Sequence, residues 1–316
     1  MNIRYKLENS FAHRIFLLLI IALTGLILTY TIFLSVVFIR SGFNSVILDE
    51  HLAKLNGNVF LLRLMQILQS FFVFIIPPFI LCKIYKEKPS AFLHLQPPDF
   101  ESALFAICSV IIMIPLINAL VDWNAGMHLP EALHGVETWM RTSENEAEKI
   151  TEQMTGGTTF MDLSVNIFIV GLLAGVGEEF FFRGLLQSLL EKVFFNHSFA
   201  RTGKNPNWAI HVAIWTAAFI FSAIHLQFYG FIPRLLLGAW FGYLLWWSGS
   251  IWIPILAHFT NNTLSTIFVF LKNRNVTTIN LDTLGSNKSG WLCIISIPLI
   301  IGCIYYFIHK QRKRNS

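Results

Sequence analysis

Apolar runs about as long as a membrane crossing alternate with short polar connections along the chain. Ile15–Ile39 is almost wholly apolar between Arg14 and Arg40. Val59–Cys82 follows, interrupted by Arg63, Gln66, Gln69 and Ser70, and Pro77–Pro78 should bend or end it. Ala103–Val121, Phe160–Leu190, Trp208–His225, Ile232–Trp247, Ile251–Leu271 and Trp291–Ile308 complete a set of about eight. A bilayer core takes about 20 helical residues, and in lipid each segment must satisfy its own backbone polar groups. The pattern therefore predicts an all-α fold, a polytopic transmembrane helix bundle of about eight spans. The connection Asp122–Thr159 differs. Leu129, Leu133, Val136 and Met140, then Ala147, Ile150 and Met154, recur near helical spacing and predict an amphipathic extramembrane helix between spans three and four.

Composition agrees with lipid as part of the solvent: 54% of residues are hydrophobic and 13% charged, against roughly 25% charged in a soluble domain. The net charge of +5 is less informative than its placement. Lys and Arg collect on the side that holds both termini, including the tail Lys310–Gln–Arg–Lys–Arg314, which predicts cytoplasmic termini on a multi-pass protein of the cell membrane. That tail reads as a topology signal, with no nucleic-acid partner implied. The cysteines, Cys82, Cys108, Cys293 and Cys303, form no CxxC pair and read as small apolar side chains. Three stretches result: N-terminal spans with an acidic outer loop (1–158), helices that hold the unusual polar groups (159–271), and a last span with a basic tail (272–316).

Those polar groups lie where charge is costly. Glu178, Glu179 and Arg183 interrupt the fourth span, and a central charge costs about 2.5–3.5 kcal/mol on insertion scales. Glu179 and Arg183, four apart, share a helix face and can pair. Glu178 points about 100° away, free of that partner and suited to taking and returning a proton. The bland alternative is an ion pair that fixes packing. Phe221 and His225 share a face in the next span, as do His258 and Asn262 two spans on. Each alone is unremarkable, Asn262 serving equally as interhelical glue; together, three helices present proton-transfer or ligand groups near membrane depth. The other histidines, His13, His51, His94, His128, His134, His197, His211 and His309, read as background. Arg63, Gln66 and Ser70 form a polar stripe that either lines a water path or satisfies neighbouring polar groups. Gly171/Gly175 and Gly238/Gly242 read as close-packing pairs.

The three motifs, Glu178–Glu179–x–x–x–Arg183, Phe221–x–x–x–His225 and His258–x–x–x–Asn262, resemble in order and placement those of the CAAX-protease and bacteriocin-processing family of intramembrane proteases, also called CPBP or Abi. The resemblance covers about Phe160–Leu271 and includes Gly249–Ser–Ile–Trp–Ile–Pro–Ile–Leu–Ala–His258. It implies peptide-bond hydrolysis in a membrane-associated protein or peptide, with Glu178, His225, His258 and Asn262 catalytic and Glu179, Arg183 and Phe221 supporting. Two schemes fit these residues. In one, Glu178, His225 and His258 hold Zn²⁺, whose open position activates water. In the other, Glu178 and His225 activate water directly while His258 and Asn262 donate to the oxyanion. The rival functions are a non-catalytic bacteriocin-immunity or scaffold protein, and a proton-coupled transporter. One expectation is awkward: Glu178 and His258 fall towards the cytoplasmic side and His225 towards the outer side, unless the fifth helix starts after Trp208 and runs past Gln227–Phe–Tyr–Gly230, or tilts.

Overall fold

A computed structural model describes residues 11–44, 58–202, 208–277, 281–286 and 289–315, so His51 lies outside the described residues. These residues form helices and connecting turns, with no strand among them. The principal helices are α1 (Phe11–Arg40), α2 (Val59–Ile84), α3 (Phe100–Ala125), α4 (His134–Thr155), α5 (Phe160–Phe195, helical on through Thr202), α6 (Trp208–Ala223), α7 (Phe231–Ser248), α8 (Trp252–Asn273) and α9 (Trp291–Asn315). The chain is an integral membrane protein. Of these helices α1, α2, α3, α5 and α9 are long and apolar enough to cross a bilayer. The other three expected spans fall short of that mark: α6 has 16 residues, α7 carries Arg234 and several indole and phenol rings, and α8 carries His258, Asn261 and Asn262. The amphipathic helix forms as α4, with a 3₁₀ turn at Glu131–Leu133 ahead of it.

Pro77 and Pro78 neither end nor visibly interrupt α2, which runs on to Ile84. The reason is a widened π-helical stretch, Ser70–Ile75, immediately before them, where Ile76 N–H reaches back to the carbonyl of Phe71. Proline has no N–H to give the turn below, and the five-residue spacing redistributes the carbonyls left over. Arg63 of the polar stripe donates to Asn166 Oδ1 at 2.8 Å and lies 3.5 Å from Asp162, so it ties α2 to the start of α5.

Helix α5 is the axis of the bundle, packed on α2, α6, α7 and α8. Without a hydrophobic drive between helices in lipid, close approach and interhelical hydrogen bonds hold such an axis in place. Gly242 allows one approach: a Cβ there would stand 2.7 Å from Gln187 Oε1 and 2.9 Å from Ile214 Cγ2. Gly171 allows another, facing Thr263 and Phe259 of α8. Buried Phe74, Phe182, Leu185, Leu189, Ala217 and Phe221 fill the space between α2, α5 and α6.

Candidate active site

The centre of the site is a buried charge pair. Arg183 donates from Nη1 to Glu179 Oε1 at 2.8 Å, with the side chains only 1% and 0% exposed. Arg183 Nη2 donates to the carbonyl of Gly238 at 3.0 Å, and its guanidinium lies 4.4 Å from the Phe221 ring centre. π-Helical stretches, Ile167–Leu173 and Phe180–Gln187, flank the short α-helical piece that carries both glutamates. Such widened turns re-aim side chains, and they recur at functional sites.

His258 joins this pair from α8. Its Nδ1 lies 2.8 Å from Glu179 Oε1. The carboxylate can only accept, so Nδ1 carries the hydrogen and Nε2 turns towards Glu178, 3.8 Å from its Oε2. Phe241 stacks on the imidazole at 5.1 Å between centres and Phe221 meets its edge at 6.2 Å. Glu179 and two aromatic rings thus fix the orientation of His258.

His225 reaches the same place from a turn. Helix α6 ends at Ala223 and begins at Trp208, so neither shift that would level His225 with Glu178 takes place. Contact brings it to the site nonetheless: the Phe221 ring on which His225 packs also meets His258 and the Arg183 guanidinium. His225 Nδ1 donates to the carbonyl of Phe221 at 2.7 Å, leaving Nε2 as an acceptor, and the ring sits edge-on to Phe221 at 5.1 Å. Leu226, the next residue, has φ 53°, a left-handed conformation unusual for leucine. Its surroundings hold it there: Asn124 of α3 bonds Phe228 and Ile232, and Glu144 of α4 accepts from Tyr229 N–H at 3.0 Å. Helix α4 therefore covers the turn that carries His225.

Six of the seven expected residues, Glu178, Glu179, Arg183, Phe221, His225 and His258, form one connected cluster around the Phe221 ring. Asn262 stands one turn beyond His258, donating from Nδ2 to the carbonyl of Val170 at 2.9 Å and accepting from Asn261. Its recorded bonds link α8 to α5 rather than to the cluster. Phe241, the Gly238 carbonyl and Arg234 are the residues the motifs did not reveal. Only the Gly238/Gly242 spacing hinted at the second.

Residues 161–264 match the family model of type II CAAX prenyl endopeptidases, Rce1-like. The chain carries a CAAX-protease-family domain. All seven residues of the three motifs lie inside the matched stretch, as do Arg234 and Phe241. An uncharacterized Bacillus subtilis protein, YpbD, is 28% identical over 98 residues, 30% of this chain and 40% of that protein. The chain thus spans about two fifths of the length of the curated relative it matches. No solved structure matches it.

A zinc ion in this CAAX-protease domain would need three donors converging at about 2.0–2.2 Å. Nδ1 of His258 and of His225 are hydrogen-bonded to Glu179 and to the Phe221 carbonyl, which leaves Nε2 of both free in the manner usual for metal-bound histidine, and His258 Nε2 lies 3.8 Å from Glu178 Oε2. Among the described residues, no group of three or more His, Cys, Asp or Glu is gathered closely enough to hold an ion. The donor types suit zinc, but as placed Glu178, His225 and His258 do not converge on one point.

Proposed function

We propose that this protein is an intramembrane endopeptidase that hydrolyses a peptide bond of a membrane-associated protein or peptide, using water activated by Glu178 and His225, with both termini cytoplasmic. The observation that carries this reading is the pairing of a freer carboxylate, Glu178, with two imidazoles of fixed tautomer around a buried Glu179–Arg183 pair. A buried ion pair alone explains packing; it does not require His258 Nε2 and His225 as further polar groups around the same Phe221 ring.

In this scheme water binds between Glu178 and the acceptor Nε2 of His225. Its oxygen attacks the carbonyl carbon as Glu178 takes the proton, and Glu178 returns it to the amine as the C–N bond breaks. His258, when protonated, presents Nε2–H to the carbonyl oxygen; Glu179 holds the ring in place for that role, as the carboxylate does in a catalytic triad. Asn262 supports the same side through its link to Val170. The fields of Arg183 and the two glutamates act here in a water-poor interior, where they are stronger than in bulk water.

Mass spectrometry of new protein termini in membranes from cells carrying the wild type or Glu178→Gln tests this. New termini that require Glu178 are expected. Identical terminus sets, with solute flux appearing in proteoliposomes of the purified protein, would replace the peptidase reading with transport.

A further inference from the structure

Helices α5 and α7 run in step. Arg183 and Gln187, four apart on α5, donate to the carbonyls of Gly238 and Gly242, four apart on α7, at 3.0 and 3.3 Å. Carried back one turn, the same register sets Arg234 of α7 opposite Glu179 and its neighbour Glu178. Its other surroundings agree. Arg234 Nη2 donates at 2.7 Å to Oε1 of Gln227, in the turn that carries His225. Glu144 of α4 comes near it too: a Cβ on Gly230 would stand 3.1 Å from Arg234 Nη2 and 3.6 Å from Glu144 Oε1.

Arg234 Nη1 is buried without a hydrogen-bond partner among the described residues. A guanidinium keeps its charge in proteins, and leaving one of its buried N–H groups unpaired is costly. Glu144, the carboxylate on the covering helix, does not form an ion pair with it; its Oε2 is committed to Tyr229 N–H. The flat carbonyl-lined face that satisfies Arg183 and Gln187 therefore gives way, one turn along, to a cation with a donor to spare beside the groups that would activate water.

We propose that Arg234 is a substrate-binding residue whose Nη1 donates to an anionic oxygen of the bound peptide. This rests on the peptidase reading above. Two oxygens have the required chemistry: the one that develops on the attacked carbonyl, and a carboxylate at the peptide's end. Guanidinium suits either, since its donors are fixed in a plane and its charge persists.

The test uses the full-length protein in proteoliposomes and a synthetic peptide spanning a cut site found by the terminus comparison, made as free acid and as C-terminal amide. Arg234→Gln should elute and melt like the wild type and lose about 10²–10³-fold in kcat/KM. A loss in kcat on acid and amide alike assigns the carbonyl oxygen; a loss in KM confined to the acid assigns the carboxylate. Arg234→Lys should recover part of the activity, and added guanidinium should restore part of that of Arg234→Ala. Arg234→Gln within about threefold of the wild type on both peptides overturns the inference and leaves the peptidase reading in place. A loss that neither lysine nor guanidinium relieves also overturns it. Failure of the wild type to generate any Glu178-dependent terminus removes the peptidase reading itself, and the substrate role of Arg234 with it.

Discussion

Truncating Arg183 to Ala removes the guanidinium paired with Glu179, a carboxylate that is 0% exposed and whose Oε2 has no hydrogen-bond partner among the described residues. At 2.8 Å and an effective dielectric constant of about 20, the lost attraction is about 6 kcal/mol. Desolvation of the guanidinium offsets part of that, and His258 Nδ1–H still donates to Glu179. The expected net loss is about 3–5 kcal/mol, the usual cost of leaving one member of a buried pair alone. The Gly238 carbonyl loses its donor as well. Reversible unfolding in detergent, read for Arg183→Ala, Glu179→Gln and the double variant Glu179→Gln/Arg183→Met, measures this as a coupling energy. The double variant should be the milder, because both charges leave together. An Arg183→Ala variant within about 0.5 kcal/mol of the wild type, or strictly additive effects, would refute the reasoning.

Three further outcomes follow from the same geometry. Gly242→Ala should destabilise the protein by about 1–3 kcal/mol, read by the same unfolding assay, because its Cβ must displace Gln187 or Ile214. On α4, hydrogen bonds from Arg141, Leu129 N–H and His128 hold the Glu137 carboxyl down at about 2. A carboxyl lowered on folding stabilises fully above its ordinary pKa, and that contribution fades below it and is gone once pH falls through about 2. Trp139 fluorescence, from a ring packed on Phe228 at 5.1 Å, should therefore report loosening of α4 on acidification, and Glu137→Gln should blunt that response. Finally, cleavage should survive a strong chelator, since the donors as placed do not converge on an ion; stoichiometric metal lost with His258→Ala, together with chelator-sensitive turnover, would contradict this.

The bundle was legible because lipid leaves few alternatives to a long apolar helix. The Glu179–Arg183 pair was legible because helical spacing alone brings the two side chains together. Three features were not. The passage of α2 through Pro77–Pro78 depends on a π-helical stretch, which has no sequence signature as clear as a proline has. The meeting of His225 with the other site residues depends on where α6 ends, and helix ends are where residue patterns say least. Arg234 and Phe241 belong to none of the three motifs; only the register of α7 against α5, fixed by the carbonyls of Gly238 and Gly242, gives them a place at the site.

The measurement that bears most directly on the peptidase claim is cleavage of a peptide spanning an identified cut site, by purified protein in proteoliposomes, in water enriched in oxygen-18. Wild type should cut the peptide and place one labelled oxygen in the new carboxyl group, while Glu178→Gln, folded and melting like the wild type, should lose at least about 10²-fold in turnover. Equal turnover by Glu178→Gln, or cleavage without label in the new carboxyl group, would contradict the account.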